Sequence, residues 1–164
     1  MMRRIAFAFA FFLLSACGLH PLYGGGSRSQ VSGLLRSVEV AGIPGREGWL
    51  VRTKLIDRLG ETGAVPAHYR LDVTLDDNIT SYGLRANQTA TQERRTLRAR
   101  YQLVDLSNGA VVLAATAGSD ASIDVVSSEY ATVAAEQTAL ENLSGIVADQ
   151  IVARLAVYAA RTTH

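Results

Sequence analysis

Two stretches of strict alternation decide most of what this chain can become. Tyr69, Leu71, Val73 and Leu75 are interleaved with Arg70, Asp72, Thr74 and Asp76. Leu97, Ala99, Tyr101 and Leu103 are interleaved with Thr96, Arg98, Arg100 and Gln102. Successive strand side chains point to opposite faces, so each stretch predicts a strand with one apolar and one polar side. Strands of this kind build a sheet that is covered on one face and wet on the other.

The remaining segments supply the cover. Leu34 to Val40 reads as a first strand, broken by Gly42-Ile43-Pro44-Gly45. From Glu47 to Leu59 the apolar Leu50, Val51, Leu55, Ile56 and Leu59 recur at helical spacing, and Gly60 and Gly63 end that helix. Tyr82 to Gln92 is polar and aperiodic, which predicts a long loop or flexible strand ends. Asn108-Gly109 predicts a two-residue hairpin turn, with Val111 to Ile123 returning as a fourth strand. Ser127-Ser128-Glu129 provides a cap for a final helix, whose stripe is Val133, Leu140, Leu143, Ile146, Val147, Ile151 and Leu155. The order is β-α-β-β-β-α. A strand–helix–strand crossover favours parallel pairing, and the later hairpins are antiparallel. The expected fold is an α/β two-layer sandwich, with two helices packed on one face of a four-stranded mixed sheet.

The N-terminus follows a different logic. Arg3 and Arg4 precede the unbroken apolar run Ile5 to Leu14, and Leu14-Ser15-Ala16 leads into Cys17, the single cysteine. A basic start, a short apolar core and small residues before a cut site mark a secretory signal. The run is about half the 20 or so apolar residues that a spanning helix needs. Leu-Ser-Ala-Cys resembles the bacterial lipobox, in which the thiol takes a diacylglycerol, the preceding peptide is removed and the new amine is acylated. Three acyl chains anchor a protein stably where one is marginal. Gly18 after the cysteine, where the enteric sorting rule reads Asp as inner-membrane retention, implies delivery to the outer membrane. The expected organisation is a signal peptide over residues 1–16, a lipidated Gly- and Ser-rich tether over 17–32, and a single domain over 33–164. Removal of the signal leaves 148 residues with 14 basic and 15 acidic side chains. That near-neutral balance gives no general attraction to nucleic acid.

The chain offers little for catalysis. His20, His68 and His164 have no cysteine or carboxylate at metal-ligand spacing, and no Gly-x-Ser-x-Gly elbow occurs. Gly42-x-x-Gly45-x-x-Gly48 lies between a strand and a helix, but it is not the dinucleotide fingerprint and reads as an ordinary turn. No enzymatic activity and no cofactor are expected, apart from the covalent lipid on Cys17. The remaining local concentration is Arg94, Arg95, Arg98 and Arg100. Alternation places Arg94, Arg98 and Arg100 on one side of the third strand. Two readings stay open: a stripe that contacts phosphate or carboxylate groups of a ligand, or cross-strand pairing with Asp72 and Asp76.

Cys17-Gly18-Leu19-His20-Pro21-Leu22-Tyr23-Gly24 and Ser128-Glu129-Tyr130-Ala131 carry a family resemblance. Together with the element order, they are similar to the alphaproteobacterial lipopolysaccharide-assembly lipoproteins of the LptE type. The resemblance spans essentially the whole mature chain. It implies a non-catalytic lipoprotein that sits as a plug in the outer-membrane lipopolysaccharide-translocon β-barrel (the LptD type), helps that barrel fold and contacts lipopolysaccharide. Basic residues are implicated in such contacts, but the resemblance aligns none of them to an individual arginine here; Arg94, Arg95, Arg98 and Arg100 are the candidates by their local concentration alone. The competing expectation is a generic envelope lipoprotein that carries an apolar ligand or serves as a scaffold.

Overall fold

The computed structural model describes residues 27–60, 66–84 and 90–162. The signal, Cys17 and the Gly-rich segment after it lie outside them, as does Gly63. Seven elements follow in order: α1 (Ser27–Arg36), β1 (Val38–Val40), α2 (Gly45–Leu59), β2 (Tyr69–Leu84), β3 (Ala90–Asp105), β4 (Val111–Asp124) and α3 (Glu129–Thr162). The strands form one sheet in the order β1-β2-β3-β4. β1 pairs parallel with β2, and the other two pairs are antiparallel. This is the expected mixed sheet with its helices on one face, and it carries a third helix.

That helix replaces most of the strand expected from Leu34 to Val40. Val31, Leu34 and Leu35 stand three and four residues apart, which is helical spacing and would scatter them over both faces of a strand. Leu34 and Leu35 pack against the core. The Ser37 hydroxyl closes the turn by donating to the Leu34 carbonyl at 2.7 Å. Ser27 to Ser32, expected in the tether, are therefore the first turns of α1. Only Val38, Glu39 and Val40 remain as strand, with Val38 and Val40 buried and Glu39 exposed.

α2 buries Gly48, Val51, Leu55 and Leu59, a stripe on one side of the helix, and the Gly60 N–H caps it by donating to the Ile56 carbonyl. Gly48 explains the glycine-rich turn before it. A Cβ at this position would stand 2.5 Å from the Ile43 carbonyl oxygen, so the turn and helix can meet only where no side chain intervenes.

β2 and β3 are each 16 residues, or about 53 Å at roughly 3.3 Å per residue. α3, at 34 residues, is about 51 Å long at 1.5 Å per residue and lies along β3 and β4. Its buried stripe is Leu140, Leu143, Val147, Ile151 and Leu155, flanked by Ala139, Ser144, Ala148 and Ala159, whose small side chains allow close approach to the sheet. Leu97, Ala99 and Leu103 of β3 meet it from below, and Leu71 of β2 belongs to the same core cluster, all fully buried. Val133 and Ile146, expected in the stripe, are each 43% exposed. α3 is long and apolar enough to cross a membrane by composition, but here it is the core helix of the fold. Its start is capped as expected, with the Ala131 N–H donating to the Ser128 hydroxyl at 3.4 Å.

Two connections need comment. Both ends of the polar stretch from Tyr82 to Gln92 are strand, as the second of the two sequence readings has it, with pairing continuing through Tyr82↔Gln92 to Leu84↔Ala90, and residues 85–89 lie outside the described residues. Polar cross-strand contacts stand in for apolar alternation there. The Ser81 hydroxyl donates to Glu93 at 3.2 Å, the Tyr82 hydroxyl to Ser122 at 3.2 Å, and the Gln92 amide to Asp124 at 3.3 Å. Asn108-Gly109 is not a two-residue turn. The Asp105 N–H donates to the Ala110 carbonyl, enclosing a four-residue loop of Leu106, Ser107, Asn108 and Gly109. The Asp105 carboxylate organises that loop by accepting from both the N–H and the hydroxyl of Ser107, which hold its pKa below the ordinary range. Gly109, at φ 73°, supplies the left-handed residue that turns the chain into β4.

Two substitutions test this packing. Ile151→Ala removes a fully buried side chain and should cost about 2–5 kcal/mol in urea denaturation. Gly48→Ala should destabilise by about 1–3 kcal/mol through overpacking, although alanine ordinarily favours a helix by about 1 kcal/mol over glycine. A stabilised Gly48→Ala protein would refute the close approach to Ile43.

Candidate ligand-contact face

The three helices cover one face of the sheet, and the polar positions of β2, β3 and β4 are left on the other. Register brings Thr74 opposite Arg100, Asp76 opposite Arg98, and Asn78 opposite Thr96. On the other side of β3, Arg94 faces Ser122, Arg98 faces Gly118 and Arg100 faces Thr116. Arg94, Arg98 and Arg100 therefore share the outer face, as alternation predicts.

Their partners differ. Arg94 lies 3.7 Å from the Asp120 carboxylate and 5.6 Å from the centre of the Tyr82 ring. Such an exposed pair contributes at most about 1 kcal/mol. Arg98 and Arg100 make no ion pair among the described residues. Asp72, one of the two carboxylates expected to neutralise them, is instead engaged by Arg70 of the same strand at 2.9 and 3.0 Å. That carboxylate keeps the Arg70 guanidinium above its ordinary pKa. Asp76 faces Arg98 across the sheet without closing to ion-pair distance.

Gly118 shapes the ground around Arg98. A Cβ there would stand 3.2 Å from the Arg98 Cγ, so the stem of the arginine lies over the bare backbone of β4. A shallow depression of about 310 Å³ opens beside it, lined by Thr74, Asp76, Arg98, Arg100, Thr116 and Gln150 among others. A second, of about 470 Å³, lies on the other side of Arg100 and shares Thr74 and Thr116 with the first. Arg100 thus stands between two hollows, with the Thr74 and Thr116 hydroxyls in the lining of both. Two unpaired guanidiniums, Thr hydroxyls and an open face suit recognition of phosphate or sugar oxygens by charge-assisted hydrogen bonds.

Arg95 does not belong to this stripe. It points to the helix-covered face, donating to Asp77 at 2.9 and 2.5 Å and to the Glu136 carbonyl of α3 at 2.9 Å. The side chains of Arg95 and Asp77 are only 12% and 16% exposed. The Asp77 hydrogen bonds hold the guanidinium pKa above its usual value despite partial burial. The signal was present in the sequence: Arg95 is in phase with Leu97, Ala99 and Tyr101, not with Arg98. A second tie of this type, missed from sequence, joins α2 to α3, where Arg58 bonds Asp149 and keeps that carboxyl below the usual range.

His68 fastens the start of β2 through its main chain, with its N–H on the Ser37 carbonyl at 2.9 Å and its carbonyl accepting from Leu106 at 3.0 Å. No cluster of three His, Cys, Asp or Glu able to hold a metal occurs among the described residues. Cys17 lies outside them.

The lipopolysaccharide-assembly (LptE) family model matches residues 35–155, which covers both helices of the expected fold, all four strands and the arginine face. The chain belongs to the LptE lipopolysaccharide-assembly family. Among solved structures, it is similar to a putative lipoprotein from Caulobacter crescentus CB15, with 28% identity and a TM-score of 0.66 over 82% of this chain and 98% of that one. It shares its fold with the rare lipoprotein B of Shewanella oneidensis, at 10% identity and a TM-score of 0.60 over 77% and 98% of the two chains. A minor lipoprotein from Acinetobacter baumannii has the same fold, at 14% identity and a TM-score of 0.56 over 75% and 92%. No curated protein sequence matches. The LptE-family assignment places this chain with envelope proteins of lipopolysaccharide assembly.

Arg95→Met should strand a largely buried Asp77 carboxylate and cost about 1–3 kcal/mol. Arg98→Met, which breaks no ion pair, should leave the urea midpoint unchanged. Equal losses in the two variants would contradict the division of the arginines between faces.

Proposed function

We propose that this protein is an outer-membrane lipoprotein, acylated on Cys17, that acts as plug and assembly partner of the lipopolysaccharide-translocon β-barrel. Its outer sheet face then contacts lipopolysaccharide through Arg98 and Arg100, with Arg94 at the margin. The observation that carries this reading is the pair of unpaired guanidiniums on the wet face of a domain whose family assembles lipopolysaccharide. Lipid A phosphates are dianionic groups that guanidinium forks bind bidentately. The role is non-catalytic. A carrier of apolar ligands needs a sizeable apolar cavity, whereas here the helices close directly on the sheet through Leu71, Leu97, Leu103, Leu143, Ile151 and Leu155.

Binding of purified protein to lipopolysaccharide at two salt concentrations, beside thermal melts, tests the arginine assignment. Arg98→Glu with Arg100→Glu should weaken binding about tenfold or more with little change in melting temperature. Unchanged affinity in the folded double variant would remove these arginines from the ligand site. The anchor and partner are tested separately. Protein extracted from membranes should have Cys17 as its N-terminus and carry acyl mass, and a chain starting elsewhere would sink that assignment. Depletion in the native organism should lower assembled barrel and surface lipopolysaccharide together, and normal barrel assembly would count against the plug role.

A further inference from the structure

β4 is an edge strand of 14 residues, Val111-Val112-Leu113-Ala114-Ala115-Thr116-Ala117-Gly118-Ser119-Asp120-Ala121-Ser122-Ile123-Asp124. It has none of the proline, lysine or arginine residues that commonly blunt exposed edges. At its middle, the Gly118 N–H donates to Gln150 Oε1 at 3.0 Å, and the Gly118 carbonyl accepts from Gln150 Nε2 at 3.3 Å. The side-chain amide from α3 thus occupies the donor and acceptor positions that the peptide group of a neighbouring strand would take. Because Gly118 directs both groups outward, alternation directs those of Ala114, Thr116, Asp120 and Ser122 outward too. Among the described residues, no side chain bonds the main chain at those four positions.

We propose that the β4 edge is a pairing surface for the same edge of a second copy of this chain, and that Gln150 holds it closed in the monomer. The sequence of β4 is self-complementary about Gly118. Antiparallel pairing of two copies centred there places Asp120 opposite Thr116, Ser122 opposite Ala114, and Asp124 opposite Val112, so no two carboxylates face each other. On the helix-covered side Ser119 meets Ala117, and Ala121 meets Ala115, which leaves small residues where two helix layers must come together. The two Gly118 peptides form the central hydrogen-bonded pair, using the groups that Gln150 now occupies. A two-fold axis through this point gives a closed interface.

Sedimentation equilibrium of the lipid-bearing chain, in density-matched detergent, measures the effect. Gln150→Ala removes the competing amide and should lower the dimer dissociation constant about tenfold. Adding Thr116→Pro deletes an outward N–H that β3 does not use, and should return the Gln150→Ala protein to monomer. A dissociation constant unmoved by Gln150→Ala overturns the proposal, as does a folded Gln150→Ala/Thr116→Pro protein that still dimerises. If that second substitution unfolds the chain, hydrogen exchange in Gln150→Ala decides. The Thr116 and Asp120 amides should exchange more slowly as protein concentration rises, and concentration-independent exchange overturns the idea.

Discussion

The structure depends on burial of one face, and only one, of the β2–β3–β4 sheet. Leu97, Ala99, Tyr101 and Leu103 of the central strand lie under α3 and are at most 3% exposed. Burying each leucine contributes about 1.5–3 kcal/mol relative to exposure, and the alanine methyl less, so a register slip of one residue, which would turn all four to water, is strongly disfavoured. The same register forces Arg94, Thr96, Arg98, Arg100 and Gln102 outward. The arginine face is thus a consequence of core packing, and no local interaction is needed to aim it. What the core cannot fix is how far the guanidiniums are neutralised, which depends on carboxylates of the neighbouring strands.

Arg95 shows what happens where that division is broken. It is in phase with the core but lies beyond the apolar part of the stripe, where α3 still covers the sheet. A cation there is tolerable only with an acceptor set of its own, and Asp77 with the Glu136 carbonyl provides one. The result is a polar tie between hairpin and helix that continues the apolar contact into the distal half of the molecule. Removing one partner costs more than the pair contributes, because the remaining group stays desolvated.

Much of this was legible in the sequence for one reason: period two and period 3.6 separate cleanly where one face is buried. β2, β3, α2 and the stripe of α3 from Leu140 to Leu155 are all of that kind. The failures occur where periodicity carries no information. The strand ends at Tyr82 and Gln92 are held by main-chain pairing and polar side-chain contacts, which produce no apolar rhythm, so the sequence could not choose between loop and strand there. Leu34 to Val40 joins two apolar clusters, one at helical spacing and one at strand spacing, and the boundary at Ser37 is set by its hydroxyl bond to Leu34 and by main-chain bonds to Gly33, Leu34, His68 and Tyr69. The loop after Asp105 is set by carboxylate and amide side chains on main-chain groups, so Asn108-Gly109 alone could not reveal its length. The candidate face was half legible: phase identified Arg94, Arg98 and Arg100, but the engagement of Asp72 by Arg70 requires the folded rotamers.

That engagement bears on what the outer face can bind. Within one strand, Arg70 and Asp72 are two residues apart on the same side, and their forked contact leaves Asp72 less available to Arg100 and its neighbourhood. An exposed pair of this kind adds little to stability, so its main consequence is electrostatic. It removes a competing anion from the ground beside Arg100 while leaving the near-neutral balance of the whole chain untouched. With Asp76 opposite Arg98, the two guanidiniums and that carboxylate leave a net charge of one positive unit on a molecule with no general attraction for polyanions. Such a face discriminates by geometry, through two guanidinium forks about 7 Å apart along the strand at roughly 3.4 Å per residue. A ligand carrying a single carboxylate can satisfy only one fork. A ligand that presents clustered phosphates or phosphate beside sugar hydroxyls can engage both, with Thr74 and Thr116 supplying the flanking hydroxyls.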